Sequence, residues 1–220
     1  MKILAIEFSS EQRSVAICNG TVDGRISVPE MVVQAGGEKI NPLALIEEAL
    51  RAARLEREQI DCVAVGLGPG SYTGIRMAIS IAQGWQLARD VRTLGVSSVE
   101  CLAARAQLEK IGGRVSIVID AQRKEFYLAV YDLAGPSPRP IVPLHLATFD
   151  DVQARRRLGE ILAGPGVDKW FPGARTVFPD AAMVGRLAAT RPDPVPGEEL
   201  EPIYVRETNF VKAAPPRFLR

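Results

Sequence analysis

The chain is poor in the residues that do metal and thiol chemistry. It has one histidine, His145, and one imidazole cannot make an H-x-x-x-H metal site. Its three cysteines, Cys18, Cys62 and Cys101, are an odd number in apolar surroundings with no C-x-x-C pair, which predicts buried thiols in a reducing cytoplasm. Neither sign of charge is in excess: 27 Lys plus Arg stand against 26 Asp plus Glu. No overall field therefore draws the protein to nucleic acid or to an acidic membrane face, and RNA contact is expected only locally or through a partner. No apolar run approaches the roughly 18 residues of a membrane span. The opening run Ile3-Leu4-Ala5-Ile6 meets Glu7 too soon for a signal peptide. The expectation is a cytoplasmic protein of one large domain or two small lobes.

Short catalytic motifs are missing as well. The glycine-rich stretch Gly66-Leu67-Gly68-Pro69-Gly70-Ser71-Tyr72-Thr73-Gly74 has no Lys-Ser/Thr pair of a phosphate-binding Walker loop. Ser71 is not in a Gly-x-Ser-x-Gly elbow and has no histidine beside it to act as base. What that stretch does have is position. It follows the apolar run Cys62-Val63-Ala64-Val65 and precedes a long apolar helix, so a strand stops, the backbone turns and a helix starts. Gly68, Gly70 and Gly74 suit left-handed backbone or close approach, and Ser71 and Thr73 suit a helix cap. The loop is either a plain strand-to-helix connection or a cradle for a phosphate or carboxylate.

Elsewhere the pattern alternates strands and helices. Lys2–Phe8 and Arg13–Cys18 predict a hairpin across Ser9-Ser10-Glu11-Gln12, and residues 25–34, holding Pro29, predict an edge strand. Asn41-Pro42 opens an amphipathic helix with Leu43, Ile46, Leu50 and Ala53 on one side, ending near Leu55. The helix after the glycine loop is apolar almost all round, with Ile75, Ile79 and Ala82 among its positions. It must be covered on more than one side, by its own fold or by a partner. A short strand at 93–96 and a helix at 99–108, capped by Ser97-Ser98, follow.

At Arg114 the opening pattern returns. Setting Glu7 over Asp120 places Ile3–Ile6 over Ser116–Ile119, and the same offset places Val15–Ile17 over Leu128–Val130. Each half begins with strand, terminal acid, polar turn and second strand, which predicts a duplicated β-rich unit. Further on are a Pro-rich edge strand at 136–143, a short helix from Phe149, a strand near 159–163 and a helix at 180–190. Arg155-Arg156-Arg157 is read as a solvated helix face, and 203–206 as a short extended segment before a loose tail.

A duplicated lobe with an acid closing each first strand is the layout of the actin, hexokinase and Hsp70 ATPases, in which glycines beside each acid let the backbone wrap phosphates. Here the turns Glu7-Phe8-Ser9-Ser10 and Asp120-Ala121-Gln122-Arg123-Lys124 contain no glycine, so tight nucleotide binding is not expected and Glu7 and Asp120 read as vestigial acids. Gly68–Arg76 resembles the signature of the TsaB (YeaZ) family of bacterial tRNA-modification subunits. The similarity extends to Ala82-Gln83-Gly84, Gly95–Ser98, Ile119-Asp120-Ala121, Glu125-Phe126-Tyr127 and Glu201–Arg206. Glu7 departs from the family's usual aspartate.

The resemblance implies a two-lobed α/β fold of mixed sheets flanked by helices. The N-terminal lobe is expected at 1–110, completed by a segment around 198–220, and the C-terminal lobe at 111–197. It further implies a non-catalytic partner of TsaD, the paralogue that transfers a threonylcarbamoyl group to adenosine 37 of tRNAs reading codons that begin with A. TsaD's two metal-binding histidines correspond here to Ser98 and Leu102, so no metal and no cofactor are expected. A contact with the small ATPase TsaE, a homodimer in the absence of TsaD, and tRNA contact only through the complex are also implied. The expected partner interface is Leu43, Ile46, Leu50, Ala53, Ile75, Ile79 and Ala82. The alternative is an active small-molecule kinase of the same fold with Glu7 and Asp120 on magnesium.

Overall fold

Strand Lys2–Glu7 (β1) lies at the centre of the first sheet, with Ile3, Leu4, Ala5 and Ile6 all fully buried. A computed structural model describes residues 1–19, 30–35, 41–191 and 193–205 of the chain. β1 pairs antiparallel with Gln12–Asn19 (β2), Glu7 facing Ser14, so the expected hairpin forms across its polar turn. Glu30–Ala35 (β3) is the edge strand, while residues 25–29 of the expected strand lie outside the described residues. Cys62–Gly66 (β4) runs parallel to β1, and Arg92–Val96 (β5) parallel to β4, giving the order β3-β2-β1-β4-β5.

The second sheet repeats this plan strand for strand. Arg114–Asp120 (β6) takes the place of β1 and pairs antiparallel with Glu125–Asp132 (β7). β7 pairs antiparallel with the edge strand Arg139–Thr148 (β8). β6 also runs parallel to Ile161–Gly164 (β9), which runs parallel to the short Arg175–Thr176 (β10). Order and strand senses match those of the first sheet, so the duplication seen in the hydrophobic pattern is a duplication of topology. The molecule is a two-lobed α/β fold of two mixed sheets flanked by helices.

Helix Pro42–Ala53 (α1) begins where its chemistry dictates: the Asn41 side chain accepts the Ala44 N–H at 3.2 Å and Pro42 occupies the first turn. Helix Tyr72–Arg89 (α2) is capped by Ser71, whose Oγ accepts the Gly74 N–H at 3.3 Å. One side of α2 packs on the sheet. Another is covered by a late segment of the same chain: the Gln83 side chain donates to the Gly197 carbonyl at 3.0 Å, the Gly197 N–H donates to Gln86 Oε1 at 2.6 Å, and Leu200 joins the first lobe's core. Ser80 and Gly84 stay exposed, so the small-residue track on α2 is open to solvent.

Two helices cross between the lobes. Ser98–Leu108 (α3) follows β5, yet Val99, Leu102, Ala103 and Ala106 pack with β6 and β7 of the second sheet. Ala181–Ala189 (α5) follows the second sheet, yet Ala181, Val184 and Ala188 pack against Ile3, Ala5 and Cys18 of the first. Residues 181–189 were placed with the second lobe by sequence; their packing is on the first. Phe149–Arg157 (α4) covers the other face of the second sheet through Val152. In its last turn Arg155 pairs with Glu160 at 3.6 Å and Arg156 donates to the Pro172 carbonyl at 2.9 Å.

Candidate functional site

β1 ends on Glu7, and everything around its carboxylate is protein. The Ser9 N–H donates to Oε1 at 2.7 Å and the Ser98 hydroxyl donates to Oε2 at 2.8 Å. Ser98 Oγ in turn accepts the Gly68 N–H at 3.1 Å, and the Ser98 N–H donates to the Gly68 carbonyl at 2.9 Å. Glu7 therefore ties the end of β1, the glycine loop and the start of α3 into one buried knot. Burial raises its pKa above the ordinary value; the bonds from Ser9 and Ser98 oppose that rise, and Asp180 adds to it. At the corresponding turn of the second lobe, Asp120 Oδ1 accepts the Gln122 N–H at 2.7 Å. The local bond is repeated, but Asp120 is only partly buried and lines the cleft between the lobes, whereas Glu7 does not reach it. A magnesium ion shared by the two would have to displace the donors that already hold Glu7.

The glycine loop is spent on the chain itself. A Cβ at Gly70, whose φ is +150°, would lie 2.2 Å from the Ser9 carbonyl oxygen, and one at Gly74 would lie 2.0 Å from the Phe8 carbonyl oxygen. The Ser71 N–H donates to the Ser9 carbonyl at 2.7 Å. Of the five loop residues singled out by sequence, Gly70 and Ser71 also line the interlobe cleft; Gly68 and Gly74 are buried away from it and Thr73 is exposed. Arg76 pairs locally, donating to the Tyr72 hydroxyl at 3.0 Å, and Tyr72 stacks on Tyr204 with centroids 5.8 Å apart.

The expected interface residues divide sharply. Ile46, Leu50, Ile75, Ile79 and Ala82 are core residues, each at most 6% exposed, and only Leu43, at 56%, and the half-buried Ala53 reach the surface. Helical spacing identifies a face that must be covered; the sheet covers it here. Burying each of the larger side chains contributes about 1.5–3 kcal/mol to the fold, so a charge at Ile79 tests folding and not docking. The open surface of α1 and α2 lies alongside: Leu43, Ile81, Gly84, Trp85 and Ala88 line an apolar groove of about 400 Å³ flanked by Arg57, Glu58 and Arg89.

Residues 20–183 match the family described as TsaD, tRNA N6-adenosine threonylcarbamoyltransferase. Two solved structures from Pseudomonas aeruginosa are similar over nearly their whole length. One is YeaZ, at 26% identity and a TM-score of 0.74, covering 92% of this chain and 99% of that one. The other is an uncharacterized protein with similarity to peptidase YeaZ, at 27% identity and a TM-score of 0.75, covering 93% and 99%. The chain belongs to the TsaB/YeaZ branch of this family. The tRNA threonylcarbamoyladenosine biosynthesis protein TsaB of Escherichia coli is 36% identical over 132 residues, 60% of this chain and 55% of that protein. The TsaB of Haemophilus influenzae is 31% identical over 129 residues, 59% and 53%. The chain thus spans about half the length of the curated relatives it matches.

Within this TsaB-family chain, the two positions set against the metal-binding histidines of TsaD do not fit a metal. Ser98 Oγ is engaged with Glu7 and Gly68, and Leu102 is fully buried in the second lobe's core. His145 stands apart on β8, its Nδ1 2.8 Å from the Pro143 carbonyl oxygen. Among the described residues no three His, Cys, Asp or Glu side chains gather where they could hold a metal ion, and no helix is long and apolar enough to cross a membrane. Ser98 was legible as half of a Ser-Ser helix cap and as a position of the family resemblance, but not as the partner of Glu7; Ser97 stands at the cap position without a side-chain cap bond. Arg13, Lys169 and Trp170, which also line the cleft, carried no sequence signal.

Proposed function

We propose that this chain is a non-catalytic scaffold subunit that binds and supports TsaD in the N6-threonylcarbamoylation of adenosine 37 in tRNAs reading codons that begin with A. Its TsaB relatives are named as tRNA threonylcarbamoyladenosine biosynthesis proteins, and the family match supports carrying that role here. The observation that carries the non-catalytic part is the Glu7 knot. The acid that ends the first strand is sealed by Ser9 and Ser98, away from the cleft, and the glycine loop folds onto the backbone of Phe8 and Ser9.

The docking surface of this proposal is the first lobe's α1–α2 face, through the exposed Leu43 and the groove around Ile81, Gly84 and Trp85. Ile46, Leu50, Ile75, Ile79 and Ala82 support that face from beneath. The same surface pairs with itself when TsaD is absent, TsaE joins the assembly, and tRNA is met through the complex, as the near-neutral charge favours. Tagged chain should capture TsaD, and Leu43→Arg, at a position already 56% exposed, should reduce capture at least about tenfold while the circular dichroism stays unchanged. Capture unaffected by both Leu43→Arg and Trp85→Ala would move docking elsewhere. Threonylcarbamoyl transfer by this chain alone, or low-micromolar binding of ATP with magnesium by calorimetry, would overturn the scaffold reading in favour of a kinase or transferase.

A further inference from the structure

A stable protein–protein contact covers about 800 Å² on each partner, a patch about 30 Å across. The apolar groove at the end of α2 offers chiefly Leu43, Ile81, Trp85 and Ala88, too little surface to be a whole interface. The footprint has to run on, and α2 gives the direction: Tyr72, Arg76, Ser80 and Gly84, each four residues apart, form one exposed ridge. At 1.5 Å per residue Tyr72 stands about 18 Å from Gly84, inside the same footprint. At that far end the exposed side chains are of the types that carry binding energy. Tyr72 stacks on Tyr204 with centroids 5.8 Å apart and planes 29° from parallel. Arg76 lies 5.3 Å from the Tyr72 centroid and donates to its hydroxyl at 3.0 Å. The Ile203 N–H donates to the Leu67 carbonyl at 2.9 Å, which fixes the backbone next to Tyr204. Yet Tyr72 is 56% and Tyr204 52% exposed. Side chains already ordered by one another lose little freedom when a partner covers them. With 27 cations against 26 anions, the chain favours protein over nucleic acid as that cover.

We propose that Tyr72, Arg76 and Tyr204 form a second anchor for TsaD, which makes the C-terminal segment 197–205 part of the docking surface beside α1 and α2. The surface it fits is an apolar side chain set next to a carboxylate: the first covers the two rings and the second pairs with Arg76. This inference rests on the scaffold reading and says where, beyond the groove, its partner is held.

The test titrates TsaD onto the immobilised full chain. Tyr204→Ala should weaken binding by about tenfold or more, Arg76→Met by about fivefold, and Tyr204→Phe, which keeps the ring, by less than about threefold. Urea midpoints are measured alongside; if Tyr204→Ala lowers its midpoint, Arg76→Met, at an exposed position, decides. Parent-like affinity in both Tyr204→Ala and Arg76→Met overturns the second anchor and leaves the scaffold reading standing, whereas no binding by the parent overturns both. Losses confined to self-association in sedimentation, or to tRNA retention by the complex, assign the cluster to a second copy or to RNA and equally overturn the inference.

Discussion

Two glycines of the same helix should respond in opposite directions to the same substitution. Replacing a helical glycine by alanine ordinarily stabilises by up to about 1 kcal/mol, because alanine has less unfolded freedom to lose. At Gly84 nothing lies within 4 Å of the added Cβ, so Gly84→Ala should gain close to that full amount. At Gly74 the Cβ would stand 2.0 Å from the Phe8 carbonyl oxygen and 3.1 Å from its carbonyl carbon, and both partners are backbone. Relief requires α2 or the β1–β2 turn to withdraw by about 1 Å. The withdrawal stretches the Ser71 N–H bond to the Ser9 carbonyl, now 2.7 Å, and through the Ser9 N–H disturbs the buried Glu7 carboxylate. Overpacking costs about 1–3 kcal/mol and a weakened hydrogen bond about 1 kcal/mol more; less the helical gain of about 1 kcal/mol, Gly74→Ala is left destabilised by about 1–3 kcal/mol. Urea unfolding at constant m should separate the two variants by about 2–4 kcal/mol, and thermal midpoints should part by about 4–16 °C. If Gly74→Ala lies within about 0.5 kcal/mol of the parent, the glycine loop is not pressed against the first turn and the account of these glycines is wrong.

Burial raises the Glu7 pKa in the folded protein, so the folded state holds that proton to higher pH than the unfolded chain does. With more protons bound folded than unfolded, this group's contribution falls as pH rises from 4.5 toward the folded pKa. Glu7→Gln should therefore compare better with the parent at pH 8 than at pH 5 in urea titrations; a variant that loses more at pH 8 contradicts the sign. Ser98→Ala removes the donor to Oε2 and the acceptor of the Gly68 N–H together. It should cost about 2–4 kcal/mol near neutral pH, with a smaller loss at pH 5, and equal losses at both would detach Ser98 from the carboxylate. The docking variants Leu43→Arg and Trp85→Ala complete the set, with capture of TsaD as their readout.

Local features were readable one residue at a time. Asn41-Pro42, Ser71 and Asp180 each announce a helix start, and each caps one through its own side chain. The recurrence of apolar strand, acid and polar turn announced the duplication, because strand register depends on alternation along a few residues. The glycine loop was placed correctly, but its chemistry was left open between connection and cradle. Nothing in the loop says that Phe8 and Ser9 lie against it from more than sixty positions away.

By itself the sequence determined two β-rich units, where their helices begin, and the absence of imidazole and thiol pairs that metal chemistry would need. Only the tertiary structure decided that Ile75, Ile79 and Ala82 face the sheet, that residues 197–200 cover another side of α2, that α3 packs on both lobes and α5 on the first, and that Glu7 is sealed while Asp120 opens on a cleft. The reason is that hydrophobic periodicity fixes which face of an element leaves water but not what covers it. An apolar stripe buried on its own sheet and one awaiting a partner have the same spacing, because the hydrophobic effect has magnitude and no direction.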